Sequence, residues 1–187
     1  MTAASEGAPG VSSAPDAASF REAMARIAST VHVLTTVSRG QRYGITLTAA
    51  CSLAADPFSV LVSVNRSASI YAPILRAGQL CLNILGADHA PIAARFAGST
   101  GVIGEDRFDE GAWRDSSHGL PMLADAVASL DCTVASTMSL GTHTVFGCLV
   151  REIALHDAAA PLLYANRAYS RALHHPLSGV AQAGAAA

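Results

Sequence analysis

Residues 44–53 read GITLTAACSL, and how this run is read decides the fold. It carries no charge and has the apolar, β-branched texture of a core strand, yet Thr46, Thr48, Cys51 and Ser52 thread small polar groups through it. Five further stretches share that texture and are bounded by turn residues: VHVLTTV (31–37), SVLVSVN (59–65), QLCLNIL (79–85), SLDCTVAST (129–137) and HTVFGCLVREIAL (143–155). Six strands are therefore expected, in a mainly β fold. No long helix alternates with them and no G-x-G-x-x-G opens a helix after a strand, so a doubly wound parallel sheet is a poor fit. A closed antiparallel barrel fits better, because closure hides edges that such apolar strands cannot safely expose.

Peripheral helices are expected at SFREAMARIA (19–28), SIYAPILRAG (69–78) and DHAPIAARFAG (88–98). In the first, Ser19 and Glu22 have capping-box spacing, and Phe20, Met24 and Ile27 fall on one face. Residues 1–16 are rich in Ala, Ser, Gly and Pro and read as a flexible tail, as do residues 176–187; one domain spans 17–175.

Composition narrows the function. Charged residues make up only 14% and hydrophobic ones 51%, so a monomer would struggle to cover itself with polar surface and self-association is expected. A net charge of -2 argues against a nucleic-acid binder. The lack of a long apolar run or a signal-like start argues against a membrane and for a cytoplasmic protein. All 12 basic residues other than histidine are Arg, which excludes Schiff-base and phosphate-loop lysine chemistry. Cys51, Cys81, Cys132 and Cys148 lie far apart, read as reduced thiols, and form no metal-ligand spacing; no metal is expected. There is no nucleophile elbow and no motif of paired carboxylates.

What remains is a set of groups that bind: Thr46, Thr48 and Ser52 in one strand region, and Asn65, Arg66, Ser67 and Ser69 at the end of another. Hydroxyls, amides and main-chain N–H groups suit the polar rim of a flat heterocycle, and a Ser-rich turn entering a helix suits a phosphate. Asn83, in the middle of LCLNIL, needs a ligand or main-chain partner if buried. His32 reads as a satisfied core or interface histidine. Trp113 covers either a cofactor or a subunit contact.

The chain resembles the flavin reductase family of FMN-binding split barrels, in particular reductase components of two-component flavin monooxygenases. The resemblance rests on FREAMARIASTVHVLTT, GITLTAACSLAADP, LVSVNRSAS, LCLNIL, ARFAG followed by DRF, GLPMLADAVASLDCTVA, GTHTVFGCLV and PLLYANRAYSRAL, in that order over residues 20–173. It implies a six-stranded Greek-key split barrel working as a homodimer. It also implies hydride transfer from NADH or NADPH to FMN or FAD, with reduced flavin passing to a partner monooxygenase. By the same resemblance, Thr46, Leu47, Thr48, Ala49, Cys51 and Ser52 would line the isoalloxazine ring. Asn65, Arg66, Ser67, Ala68 and Ser69 would hold the ribityl chain and phosphate, Cys81 and Asn83 would complete the floor, and Arg95 with Phe96 would lie near the phosphate or adenylate end. His143 would sit beside the nicotinamide pocket as the catalytic-site histidine, flanked by Tyr169. Two departures stand out: Asp56, Pro57 and Phe58 replace the usual D-P-P, and Leu47 replaces a small residue, which would crowd the ring. Two competing readings are a flavin-binding barrel without turnover, and a pyridoxamine-phosphate-type oxidase, against which the absence of lysine weighs.

Overall fold

The computed structural model describes residues 16–156 and 160–172; the proposed tails, apart from Asp16, lie outside that range. In chain order it contains α1 (Ala17–Ala25), β1 (Ser29–Thr30), β2 (His32–Ser38), β3 (Gln41–Leu47), β4 (Ala50–Ala55), β5 (Phe58–Asn65), α2 (Tyr71–Ala77) and β6 (Gln79–Ile84). A short 3₁₀ turn at Ala87–His89 leads into α3 (Ala90–Ala97), and a second at Gly104–Asp109 precedes the small hairpin β7 (Trp113–Asp115) and β8 (Pro121–Leu123). The long hairpin β9 (Ala128–Leu140) and β10 (His143–Leu155) and the short one β11 (Leu162–Ala165) and β12 (Ala168–Arg171) complete the fold.

The main sheet has seven strands in the order β3-β2-β6-β9-β10-β5-β4, every pair antiparallel. The expected single strand at residues 44–53 is two: β3 ends at Leu47, β4 starts at Ala50, and they lie at opposite margins of the sheet. Only Thr48 and Ala49 join those margins, and three Cα–Cα steps reach at most ~11 Å. The sheet must therefore curl until its margins approach each other at that corner. Ala50 N–H donates to the Thr48 carbonyl (3.0 Å), marking the sharp change of direction.

Period-two alternation sets the inside of the curl. Val60, Val62 and Val64 of β5 point into a core with Leu34, Leu80, Phe146 and Cys148, and Ile74 of α2 plugs it together with Ile70, the residue just before that helix. Their neighbours Leu61, Ser63 and Asn65 face outward. A second core lies under α3, where Phe96, Phe108 and Trp113 pack edge to face or tilted, with centroids 5.0–5.4 Å apart. Gly44 permits this packing: a Cβ there would stand 2.5 Å from Phe96 Cε1.

The helices fall where expected, with Gly78 and Gly98 closing α2 and α3 in the left-handed conformation (φ 64° and 84°). α1 differs at its start. Its N-cap is Asp16, whose Oδ1 accepts from Ala18 N (2.7 Å) and Ser19 N (2.9 Å), so Ser19 lies inside the helix. None of α1 is buried, and Phe20, Met24 and Ile27 remain exposed. Among the described residues no helix is long and apolar enough to cross a membrane.

Candidate functional site

The corner where the chain crosses between margins opens onto a cavity of about 330 Å³ lined by Thr48, Ala49, Ala50, Cys51, Leu61, Ser63 and Val145. Strand register builds its wall. Cys51 lies opposite Leu61, Ser63 N–H donates to the Ala49 carbonyl (2.9 Å), and on the other flank Val145 faces Ser63 and His143 faces Asn65. One row further, Gly147 stands opposite Leu61 and Ser136, and a Cβ there would meet Ser136 Oγ at 2.5 Å. β4 is a margin strand, so among the described residues no neighbouring strand pairs with its outer main-chain N–H and C=O groups. The result is a flat, uncharged wall with hydroxyls and main-chain polar groups along one rim, which fits a planar heterocycle with a polar edge.

Beside the wall stands the turn of residues 65–69. Asn65 Oδ1 accepts from Ser67 N and Ser67 Oγ (both 2.9 Å), and Ala68 N donates to the Asn65 carbonyl (3.0 Å). Asn65 thus shapes the turn with its side chain, as asparagines do at such positions. Arg66 N donates to the Thr142 carbonyl (3.0 Å) and its guanidinium reaches the His143 carbonyl (3.5 Å), fastening this turn to the β9–β10 turn. Thr142 Oγ1 lies 2.9 Å from His143 Nδ1, so Nε2 is the nitrogen the exposed imidazole offers to other partners. Ala49, Cys51, Arg66, Ser67 and His143 are exposed and Thr48 and Asn65 half-buried beside the wall, whereas Ser52 pairs with Val60 and lines a separate cavity with Leu130 and Val150, Ala68 packs on the core around Ile70, and Ser69 lines a further cavity with Arg42 and Arg107.

Other expected site residues stand elsewhere. Thr46 Oγ1 donates to the Ala93 carbonyl (2.7 Å), tying β3 to α3. Leu47 packs against the core that holds Leu34 and Phe146 and is not among the residues lining the cavity at the wall. Cys81 and Asn83 are both 0% exposed and form no floor for a ligand. Asn83 Nδ2 donates to the Val33 carbonyl (3.1 Å), and Oδ1 accepts from Leu123 N (2.9 Å) and Ser129 Oγ (2.7 Å), so the protein itself meets its needs. Burial pushes the Cys81 thiol far above its ordinary range and holds Cys132 and Cys148 at about 12. Phe96 is a core ring and does not reach a ligand. Arg95 is occupied: Nη1 pairs with Glu110 (3.4 Å), and Nε and Nη2 donate to the Arg107 and Asp106 carbonyls.

Trp113 is half-buried in the aromatic trio and donates Nε1–H to the Glu110 carbonyl (2.7 Å). His32 is buried; among the described residues its Nδ1 has no partner, and burial drives the imidazole down to about 4 against a main-chain hydrogen bond with Leu47. Tyr169 lies in the three-stranded sheet β1-β11-β12 against Tyr164 (5.4 Å between centroids). Ser63, Leu61 and Val145 were missed by the sequence reading, although the alternation in SVLVSVN puts Ser63 on the outer face. Elsewhere, His118, Asp131 and Glu152 bring three possible ligand atoms within 4.8 Å of one another. The Asp131 carboxylate is already saturated there by Arg151, Ser116 and His118, which leaves a cation competing with a guanidinium.

The model of the flavin reductase like domain matches residues 24–173. This chain belongs to the flavin reductase family. It is 44% identical over 168 residues to an FMN reductase (NADH) RutF 1 of Methylorubrum extorquens, covering 90% of this chain and 83% of that one. FMN reductase (NADH) RutF of Variovorax paradoxus is 41% identical over 152 residues, covering 81% and 83%. Among solved structures, flavin reductase PheA2 superposes with a TM-score of 0.78 at 29% identity, over 85% of this chain and 99% of that one. Nitrilotriacetate monooxygenase component B from Mycobacterium thermoresistibile gives 0.76 at 28% identity, over 82% and 84%.

Proposed function

We propose that the protein is a cytoplasmic, homodimeric NADH-dependent flavin reductase that acts on FMN and delivers reduced flavin to a partner monooxygenase. The observation that carries this reading is the uncharged wall at the crossing of the sheet margins, with His143 and the turn of residues 65–69 beside it. The names of the 44% and 41% identical relatives supply the choice of FMN and NADH, and the likeness to a monooxygenase component supports the partner. Exposed Met138 and Leu140 on the β9 side of the wall, and the uncovered apolar face of α1, support a dimer. So does the low charge content, and the curled sheet supports the split barrel.

Flavin held on the wall would supply the redox chemistry of hydride transfer. The protein's part is positioning. Thr48, Ala49 and Cys51 present main-chain groups and a hydroxyl to the ring's polar edge, while Leu61 and Val145 give it an apolar surface and keep water from one face. Asn65 holds the turn in shape for the sugar-alcohol chain. His143, its Nδ1 held by Thr142, presents Nε2 at the mouth as a hydrogen-bonding group for the nicotinamide carboxamide. No side chain is asked to gain or lose a proton, in keeping with a wall that carries no carboxylate.

Anaerobic mixing with FMN and NADH tests the reading: the flavin absorbance should bleach, and binding without bleaching would identify a non-catalytic flavin protein. His143→Ala should raise the KM for NADH about tenfold, the loss of one hydrogen bond to the carboxamide, while leaving flavin affinity within a factor of about two. Equal loss of both would remove His143 from the nicotinamide side.

A further inference from the structure

The cavity that Ser52 lines measures about 410 Å³. Strand ends create it. The β5–β10 ladder stops at the pair Ser59–Leu149, whereas β10 runs on to Leu155, so the flank of β10 beyond Leu149 is left without a β5 partner. In the facing hairpin the register of β4 slips between Ser52 and Ala54, a bulge that loosens the pairing there. Leu130, Val150 and Ile153 line one side of the gap, and Ser52, Phe58 and Ser59 the other. Leu130 and Val150 also pack against the core around Leu34 and Phe146, so the cavity is a branch of the apolar interior.

The lining selects a ligand by three properties. It contains no charged side chain, so a carboxylate or ammonium group would be buried there without a counter-ion. Phe58, which follows Pro57 where a second proline is usual, is 64% exposed, and its ring offers a surface for another aromatic ring. Ser59 is only 8% exposed, and among the described residues nothing hydrogen-bonds its hydroxyl. A flat, uncharged aromatic molecule with a single hydroxyl or carbonyl group meets all three.

β4 links this cavity to the wall. Cys51, opposite Leu61, lines the wall, and the next residue, Ser52, opposite Val60, lines the cavity, so the two sites occupy the two faces of one strand. Among the described residues that strand is paired only with β5, and the two-residue crossing at Thr48 and Ala49 is its covalent tie to β3. A molecule wedged behind β4 therefore restricts its movement and steadies the surface it presents in front.

We infer that this cavity is a second binding site, for an uncharged aromatic molecule bearing one hydroxyl or carbonyl group, and that its occupancy tightens flavin binding on the opposite face of β4. The coupling rests on the flavin reductase reading above; the binding itself does not.

Naphthol, two fused rings and one hydroxyl, is the probe, titrated by calorimetry into the full-length protein with and without FMN. It should bind in both cases, and saturating naphthol should tighten FMN by about threefold, with FMN tightening naphthol by the same factor. Naphthoate, the same rings with a carboxylate, should bind at least about tenfold more weakly. Ile153 is 54% exposed at the mouth and tolerates a larger side chain. Ile153→Trp should abolish naphthol binding while keeping FMN affinity, measured without naphthol, within a factor of about two. Ser59→Ala should weaken naphthol by about threefold. Competition between naphthol and FMN would place the probe on the wall, and an altered subunit number of Ile153→Trp in sedimentation would give the cavity to a second copy of the chain. Either result, or equal binding of naphthoate, or no naphthol binding by the wild-type protein, would overturn the site. Unchanged FMN affinity with naphthol bound would overturn the coupling. Loss of FMN binding altogether, with naphthol still bound, would sink the flavin reading and leave the site standing.

Discussion

Asn65 and Asn83 sit in the same seven-stranded sheet, each inside an apolar run, and the two have opposite fates. Asn83 lies in a central strand with β2 and β9 on either side and the β7–β8 hairpin over it, and its amide is bonded on both ends by the protein. Asn65 ends a strand near the margin and spends its carbonyl oxygen on shaping an open turn. A polar side chain in an apolar strand is therefore a knot of the fold where both faces are covered, and shapes an exposed turn where one face is open. Depth in the sheet, more than residue type, decides between them.

Replacing Asn83 with Ala should produce the largest effect. It strips partners from the Val33 carbonyl, Leu123 N–H and Ser129 hydroxyl in a fully buried place, and should cost about 3–4 kcal/mol in chemical denaturation. The affinity of the surviving folded protein for FMN should be unchanged; a selective loss of flavin binding would return Asn83 to the site.

His32 shows what an interior polar group does without such partners. The folded protein holds it neutral down to about pH 4, whereas the unfolded chain takes up a proton near 6.5. Between those two values the unfolded state binds more protons, so stability falls as pH falls and levels off below about 4, by at most about 3 kcal/mol. His32→Leu should flatten this dependence of the denaturation midpoint. An unchanged slope would mean that another group carries it.

Asn65→Ala should have the smallest effect on stability, below about 1 kcal/mol, because the groups it releases face solvent. Its signature is functional: FMN affinity should fall by about tenfold through disorder of the turn, with the melting temperature nearly constant. A large loss of stability with intact binding would erase the contrast between the two asparagines.

Most of the sheet was legible in the sequence, because alternation in SVLVSVN and HTVFGCLVREIAL states which side chains face inward. The break at Thr48 and Ala49 was not legible: neither residue is a turn former, and the apolar texture runs through them without interruption. The start of α1 was misplaced because Asp16, its cap, looked like the end of a featureless tail. For Cys81 and Asn83 the difficulty is the burial of both faces of β6, which removes the alternation that would have told a knot from a ligand contact. Phe96 and Trp113 were hidden for a different reason, since their packing depends on Gly44, some fifty residues or more away in sequence. Arg107 sits in GEDRFDE among acidic neighbours and reads as solvated, and only the folded arrangement shows that none of those carboxylates reaches it.

The two-residue crossing at Thr48 and Ala49 also has a mechanical consequence. Among the described residues no ladder joins β3 to β4, so the seam between them is fixed by covalent backbone at one end and can breathe at the other without breaking a strand pairing. A molecule seated across that seam would act as a staple, and its departure would restore the slack that lets the next one enter.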